Sequence, residues 1–220
     1  SQRGGIYNVE TNDQGVGRNN YVSIIWIYMM EIKLQNGTLH YITEFYSQKE
    51  SVTLFTELMK DIELEQNEIK IFGKTYNTPR MEGFYAKNGQ EYGYSGKKMK
   101  TRDFTKLIES ICHKIEKFTG EEFNSVLINL YRDGQDSNGW HSDDEKELGP
   151  TPYIASLSLG ATRDIQFKHK NTGERLVYPL ENGSLMLMSG EIQKYWKHQI
   201  PKTRQKKDAR LNLTFRKIIG

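Results

Sequence analysis

The 220-residue chain holds one cysteine, Cys112, and only five prolines. A single cysteine excludes an internal disulfide and any zinc site built on paired cysteines. The fold must therefore rest on its apolar core, and a chain of this length buries enough surface to form one ordinary domain. Long apolar runs are also missing. The longest is Ile24–Met30, "IIWIYMM", far short of the roughly twenty residues a membrane helix needs. It follows a polar stretch and has no small-residue cleavage site, so it reads poorly as a secretion signal. The expectation is a protein without a membrane span and not secreted. Residues 1–20 are rich in Gly, Asn and Gln and predict a segment without regular structure. The sequence contains no internal repeat and no low-complexity tract.

Net charge is nearly absent too, at +3, but its distribution is uneven. From Lys194 to Lys217 there are nine Lys or Arg and one acid, Asp208; the rest carries 22 basic and 27 acidic residues. A basic segment on an acidic chain fits an anionic partner, nucleic acid or a carboxylate ligand. Charge alone leaves open a lysine-rich solvated edge.

The Asn36-Gly37 pair marks a tight turn between strand-like segments. Ser47 and Glu50 form a capping-box pattern, opening a helix to about Ile62 with Val52, Phe55, Met59 and Ile62 on one face. A second helix is predicted over about Arg102–Thr119, striped by Phe104, Leu107, Ile108, Ile111, Ile115 and Phe118 and stopped by Gly120. From Phe123 onward short strand-like runs alternate with Gly-Ala-Thr, Asn-Thr-Gly and Glu-Asn-Gly turns. That spacing predicts a β sandwich or barrel with the helices packed outside.

Chemistry gathers in "NLYRDGQDSNGWHSDDEKELGP", Asn129–Pro150. His141 and Asp143 stand two apart at a strand end, where residues i and i+2 point the same way. With His198 from a distant strand they would make the two-His, one-carboxylate set of non-haem Fe(II). Such a pattern also arises by chance, and Zn(II) would accept the same ligands. His40, His113 and His169 have no such context; His113 reads as helix surface and His169 as a solvated lysine-rich turn. The last strand, "ARLNLTFRK", alternates Leu211, Leu213 and Phe215 with Arg210, Asn212, Thr214 and Arg216. An inward arginine needs an anionic partner. Two of them without an evident acid imply a bound dianion, such as a small dicarboxylate. Asn129 and Tyr131 on a nearby strand would be further donors.

Taken together, "NLYRDGQDSNGWHSDDE", "SLSLGATRDIQFKHK", His198 and "RLNLTFRK" closely resemble the AlkB family of Fe(II)- and 2-oxoglutarate-dependent nucleic-acid demethylases, above all its duplex-DNA repair members. The resemblance covers roughly residues 69–218. It implies an α+β, mainly β fold: a double-stranded β-helix, or jelly roll, with two or more helices on one outer face. Residues 21–68, outside the resemblance, are expected to be N-terminal strands and a helix packing on the core; by the resemblance 69–101 form a nucleotide-recognition lid, and 102–220 hold a helix and the catalytic core.

The implied cofactors are Fe(II), 2-oxoglutarate and O2. His141, Asp143 and His198 become iron ligands. Arg210, helped by Asn129 and Tyr131, would hold the distal carboxylate of 2-oxoglutarate, and Asn212 and Arg216 the carboxylate near the metal. "IKIFGK" is similar to a wedge in which Ile71 and Phe72 enter the base stack; such wedges lower the cost of unstacking. Read without the resemblance, both are ordinary strand core. "EYGYSG" is similar to the substrate lid, with Tyr92 and Tyr94 lining the pocket and Tyr94 stacking the base against His141. Asp144 matches a position touching the exocyclic amine, Glu145 lies beside it, and Arg80 matches a position near the DNA. Tyr94 stands where relatives tend to carry Phe.

The implied reaction is oxidative demethylation of 1-methyladenine and 3-methylcytosine in flipped bases of DNA. It releases formaldehyde, succinate and CO2. A monomer is the default expectation, in the cytoplasm of a prokaryote or the nucleus of a eukaryote. An RNA demethylase of the same fold and a non-catalytic nucleic-acid binding module remain the alternatives.

Overall fold

A computed structural model describes residues 2–11, 23–71, 73–89, 93, 94, 97, 98 and 100–219. Within these, eight strands of the C-terminal part are divided between two sheets. In chain order, Ser125–Tyr131, Ile154–Gly160, Leu185–Gly190 and Arg210–Arg216 lie in the major sheet. Asn138–His141, Arg163–His169, Arg175–Leu180 and Trp196–Ile200 lie in the minor sheet. In space the order is third, second, fourth, first in the major sheet and first, fourth, second, third in the minor one. This is the winding of a double-stranded β-helix. Residues 81–86 and 101–102 extend one side of the major sheet, and residues 37–42, 23–34 and 2–11 the other.

Period-two alternation explains why these strands form layers. Leu211, Leu213 and Phe215 pack with Val126, Ile128, Leu157 and Leu159 in one cluster. That cluster also holds Leu58 of the helix Gln48–Asp61, and Ile108, Ile111 and Ile115 of the helix Lys106–Thr119. Each such side chain, buried from water, contributes about 2 kcal/mol. The opposite face meets the minor sheet, where Leu39, Tyr41, Ile154, Met186 and Met188 pack with Ile165, Phe167, Trp196 and Ile200. The expected sandwich with two helices outside is thus the fold observed.

Local signals hold where capping decides. Asn36 takes φ 67 in the 34–37 turn. Ser47 and Glu50 form the reciprocal capping box. Gly120 closes the second helix at φ 75.

Four expectations need correction. The second helix starts at Lys106, not Arg102. Thr105 is its cap, accepting the Ile108 N–H at 3.2 Å, while Thr101–Arg102 pairs with Phe84–Tyr85. The first helix does not bury Val52 and Met59, which are exposed; Ser51 and Leu58 face inward instead. The sheet's Asn182–Gly183 turn comes so close that a Cβ on Gly183, at φ +80, would stand 2.3 Å from Ser51 Oγ. Only a small residue fits there. Residues 2–11 are a strand paired along its length with residues 23–32, not an irregular segment; a long partner overrides a Gly- and Asn-rich composition. His169 is buried rather than solvated. Its Nδ1 accepts from the Asn171 and Thr172 N–H groups, and its ring lies against Tyr195 and Trp196. His113 is exposed on its helix, as read. No helix among the described residues is long and apolar enough to cross a membrane.

Candidate metal centre and cofactor cavity

His141 ends a minor-sheet strand and is the register partner of His198 on the next one. Asp143 follows two residues later. The winding brings these three side chains together at the mouth of the space between the sheets. One ligand atom from each lies within 4.8 Å of the others. His141 Nε2 is 4.0 Å from Asp143 Oδ1, and the two imidazole centres are 4.2 Å apart.

His141 Nδ1 sits 2.7 Å from the Gly139 carbonyl. A carbonyl only accepts, so Nδ1 carries the proton and Nε2 presents its lone pair. Burial lowers the basicity of both imidazoles, that of His198 to about 3, so both are neutral near pH 7. Burial alone would raise the Asp143 carboxyl. The Arg216 guanidinium, 2.7 Å away, and the two imidazoles hold it instead at about 2. Two neutral imidazoles and one carboxylate on a buried face are the donor set of a divalent metal with open positions.

Arg216 therefore has an acidic partner after all, and it is the carboxylate of the ligand set. The expectation of two arginines lacking one is corrected for Arg216. It stands for Arg210. Arg210 is 1% exposed, and its Nη2 donates to Ser158 Oγ and Asn212 Oδ1. Nε and Nη1 are buried with no hydrogen-bond partner, and no acid pairs with it, among the described residues. Tyr131 offers its ring face 5.3 Å away. Burial pulls this guanidinium down to about 10, which still leaves it charged at neutral pH. A buried, under-satisfied cation is costly unless an anion completes it. Arg210 thus fits a carboxylate beside Asn212 and Tyr131, which line the cavity that also holds the metal-ligand set.

Between Arg210 and the metal-ligand set runs a polar ladder along the last strand. Asn212 Nδ2 donates to Thr214 Oγ1 at 2.7 Å, and Ser156 Oγ to Asn212 Oδ1 at 3.1 Å. Asn129, Tyr131, Asn212 and Arg216 line one cavity with the three candidate ligands; its empty space is about 420 Å³, part of it open to solvent. Ser156 and Asn138 line this cavity and Ser158 meets Arg210 beside it, yet none was named from the sequence. The serines alternate with Leu157 and Leu159, a signal that was there. Asn138, whose Nδ2 lies 3.3 Å from His141 Nε2, carried none.

Phe72 and Tyr92 lie outside the described residues, as do the side chains of Ile71 and Tyr94. The strand Glu68–Ile71 pairs with Lys74–Asn77, and with no other strand among the described residues. Every residue of Lys74–Asn77 is exposed, and Gly73 turns the chain at φ 78. The two strands thus form a two-stranded sheet separate from the major and minor sheets. Asp144 is largely exposed and pairs with Lys170 at 3.3 Å; Glu145 follows it, half-buried. Arg80, read as lying near the nucleic acid, is buried. Its Nε donates to Asn129 Oδ1 at 2.9 Å and its Nη2 pairs with Glu82. It meets the site through Asn129.

The sequence pattern of the 2OG-Fe(II) oxygenase superfamily matches residues 38–216. The chain is similar to the Homo sapiens protein named DNA oxidative demethylase ALKBH2, 36% identical over 188 residues, 80% of this chain and 72% of that one. It is similar to the Bos taurus alpha-ketoglutarate-dependent dioxygenase alkB homolog 3, 38% identical over 184 residues, 79% of this chain and 64% of that one. A solved structure titled "The structure of OsALKBH1" shares the fold, with a TM-score of 0.57 at 18% identity, covering 85% of this chain and 99% of that one.

Proposed function

The chain belongs to the 2OG-Fe(II) oxygenase superfamily, within its AlkB branch, and on that premise we propose that it is a DNA oxidative demethylase acting on N-methylated bases. It is a 2-oxoglutarate-dependent dioxygenase using Fe(II). The observation that carries the assignment is the three-ligand cluster at a cavity lined by Asn212 and Tyr131, the same two residues that hold the buried, acid-free Arg210. When bound, iron and 2-oxoglutarate supply the oxidising chemistry: with O2 the keto acid loses CO2 to become succinate, and an oxygen enters a methyl C–H bond.

The chain's own residues position the partners. His141, Asp143 and His198 hold the metal. Arg210, with Asn129 and Tyr131 beside it, takes the distal carboxylate, and Asn212 and Arg216 steady the end near the metal. Arg80 acts by orienting the Asn129 amide. Tyr92 and Tyr94 form the lid over the base. Stacking of one base on such a ring contributes about 1–3 kcal/mol. Asp144 and Glu145 favour a cationic base edge, which suits 1-methyladenine and 3-methylcytosine. The separate two-stranded sheet of Glu68–Ile71 and Lys74–Asn77, the latter exposed throughout, supports Ile71 and Phe72 as the wedge that fills the gap left by a flipped base. The hydroxylated methyl group then leaves as formaldehyde.

The test is formaldehyde and succinate release from a 3-methylcytosine oligonucleotide, single-stranded and duplex, with and without Fe(II). Equal, iron-dependent yields of both products support the reading. Turnover on RNA but not DNA would move the substrate to the other polymer, and no turnover on either would remove the demethylase assignment. Phe72→Ala is expected to slow duplex repair more than single-strand repair; equal losses would make Phe72 a core residue.

A further inference from the structure

Strand pairing fixes two of the three ligands. His141 and His198 are register partners across adjacent strands. Asp143 is not on the ladder: it lies beyond the end of its strand, in a loop. Something else must set its backbone. Three consecutive residues of this arm are fastened to the segment that leads into His198. Ser142 Oγ donates to the Trp196 carbonyl at 2.8 Å. The Asp143 N–H donates to Gln193 Oε1 at 2.9 Å. Lys170 Nζ donates to Asp144 Oδ2 at 3.3 Å and to the Gln193 carbonyl at 2.9 Å, while the Lys170 N–H donates to the Tyr195 carbonyl at 2.7 Å.

Gln193 is 1% exposed, in the short helix Ile192–Tyr195. Its Nε2 is met by Met188 Sδ at 3.5 Å. Burying an amide is unfavourable unless its polar atoms are met. Here the strong acceptor of that amide is directed to the backbone of a metal ligand and to nothing else among the described residues. Arg216 holds the Asp143 carboxylate from one side; Gln193 holds its main chain from the other.

We propose that Gln193 is a positioning residue for Asp143, and that Lys170 is the clasp that keeps Gln193 and the arm in register. The bracket sets the ligand geometry before metal arrives. The inference rests on His141, Asp143 and His198 being the metal ligands, and its test needs no turnover.

The probe is Mn(II), titrated into the full chain and followed by its paramagnetic resonance signal. Melting of the metal-free protein is measured in parallel. Gln193→Leu is expected to weaken Mn(II) binding about tenfold, the scale for loss of an outer partner of a ligand. Gln193→Glu keeps an acceptor for the Asp143 N–H and is expected to recover binding to within about threefold of the wild type. A merely structural glutamine would lower the melting temperature in Gln193→Leu and leave the Mn(II) affinity alone, and that result overturns the proposal. Should Gln193→Leu fail to fold, Lys170→Met decides. Binding weakened about threefold or more supports the bracket, and unchanged binding overturns it. A wild-type chain that does not bind Mn(II) would remove the metal assignment itself, a different failure from variants that bind as the wild type does.

Discussion

Two arginines on one face of the last strand meet opposite fates. Arg216, at the mouth of the cavity, faces a carboxylate of the protein, Asp143. Arg210, six residues earlier and as deeply buried, meets only hydroxyl, amide and ring groups among the described residues. The same side chain on the same strand therefore does two jobs. At the near end the protein supplies the anion and keeps it for a metal. At Arg210, under the proposed reading, a ligand would supply the anion. A site polarised in this way would select a molecule with a chelating head and a carboxylate tail.

The largest effect is expected at the near end. Asp143→Ala removes both a ligand and the carboxylate facing Arg216. Turnover should fall below detection, and denaturant unfolding of the metal-free protein should show a loss of roughly 3 kcal/mol, the scale for breaking a buried ion pair. Near-normal turnover would sink the ligand assignment. A smaller effect separates the ends by pH. Folded His198 titrates at about 3 against an ordinary 6.5. As pH falls through 6.5 the unfolded chain takes up a proton that the folded imidazole refuses. Stability is therefore full above 6.5 and lost progressively down to about 3. His198→Gln should flatten that part of the melting-temperature profile, whereas Arg210, held at about 10, stays charged throughout it. The smallest change expected is from Ser158→Ala, which removes one hydroxyl from Arg210. 2-Oxoglutarate affinity should drop about fivefold, near the 1 kcal/mol of a typical hydrogen bond, with Mn(II) binding unmoved.

Much of this was legible from local pattern. His141 and Asp143 announced themselves by their spacing at a strand end, and the last strand by its alternation of apolar and basic residues. Ser156 and Ser158 followed the same period and were readable in principle. What stayed hidden depends on contacts distant in the chain. The partner of Arg216 is 73 residues away, and no spacing rule joins them. Gln193 lies in a one-turn helix with no motif and matters only because the winding sets it against Asp143. His169 read as solvated because lysines flank it, yet the 171–172 turn needed an acceptor and drew its ring inside. The helix over residues 48–61 was found by its capping box, but its buried side was set by the close approach of Gly183, which sequence periodicity does not report.

The most direct test of the polarised cavity compares 2-oxoglutarate with 2-oxopentanoate, which has the same length and chelating head but no distal carboxylate. Both would be titrated into the Mn(II)-loaded wild type and into Arg210→Met. The wild type should prefer 2-oxoglutarate by about a hundredfold, the roughly 3 kcal/mol of a charge-assisted contact in a buried site. Arg210→Met should lose that preference while binding 2-oxopentanoate and Mn(II) as before. Equal binding of the two acids by the wild type, or an undiminished preference in Arg210→Met, would contradict the account.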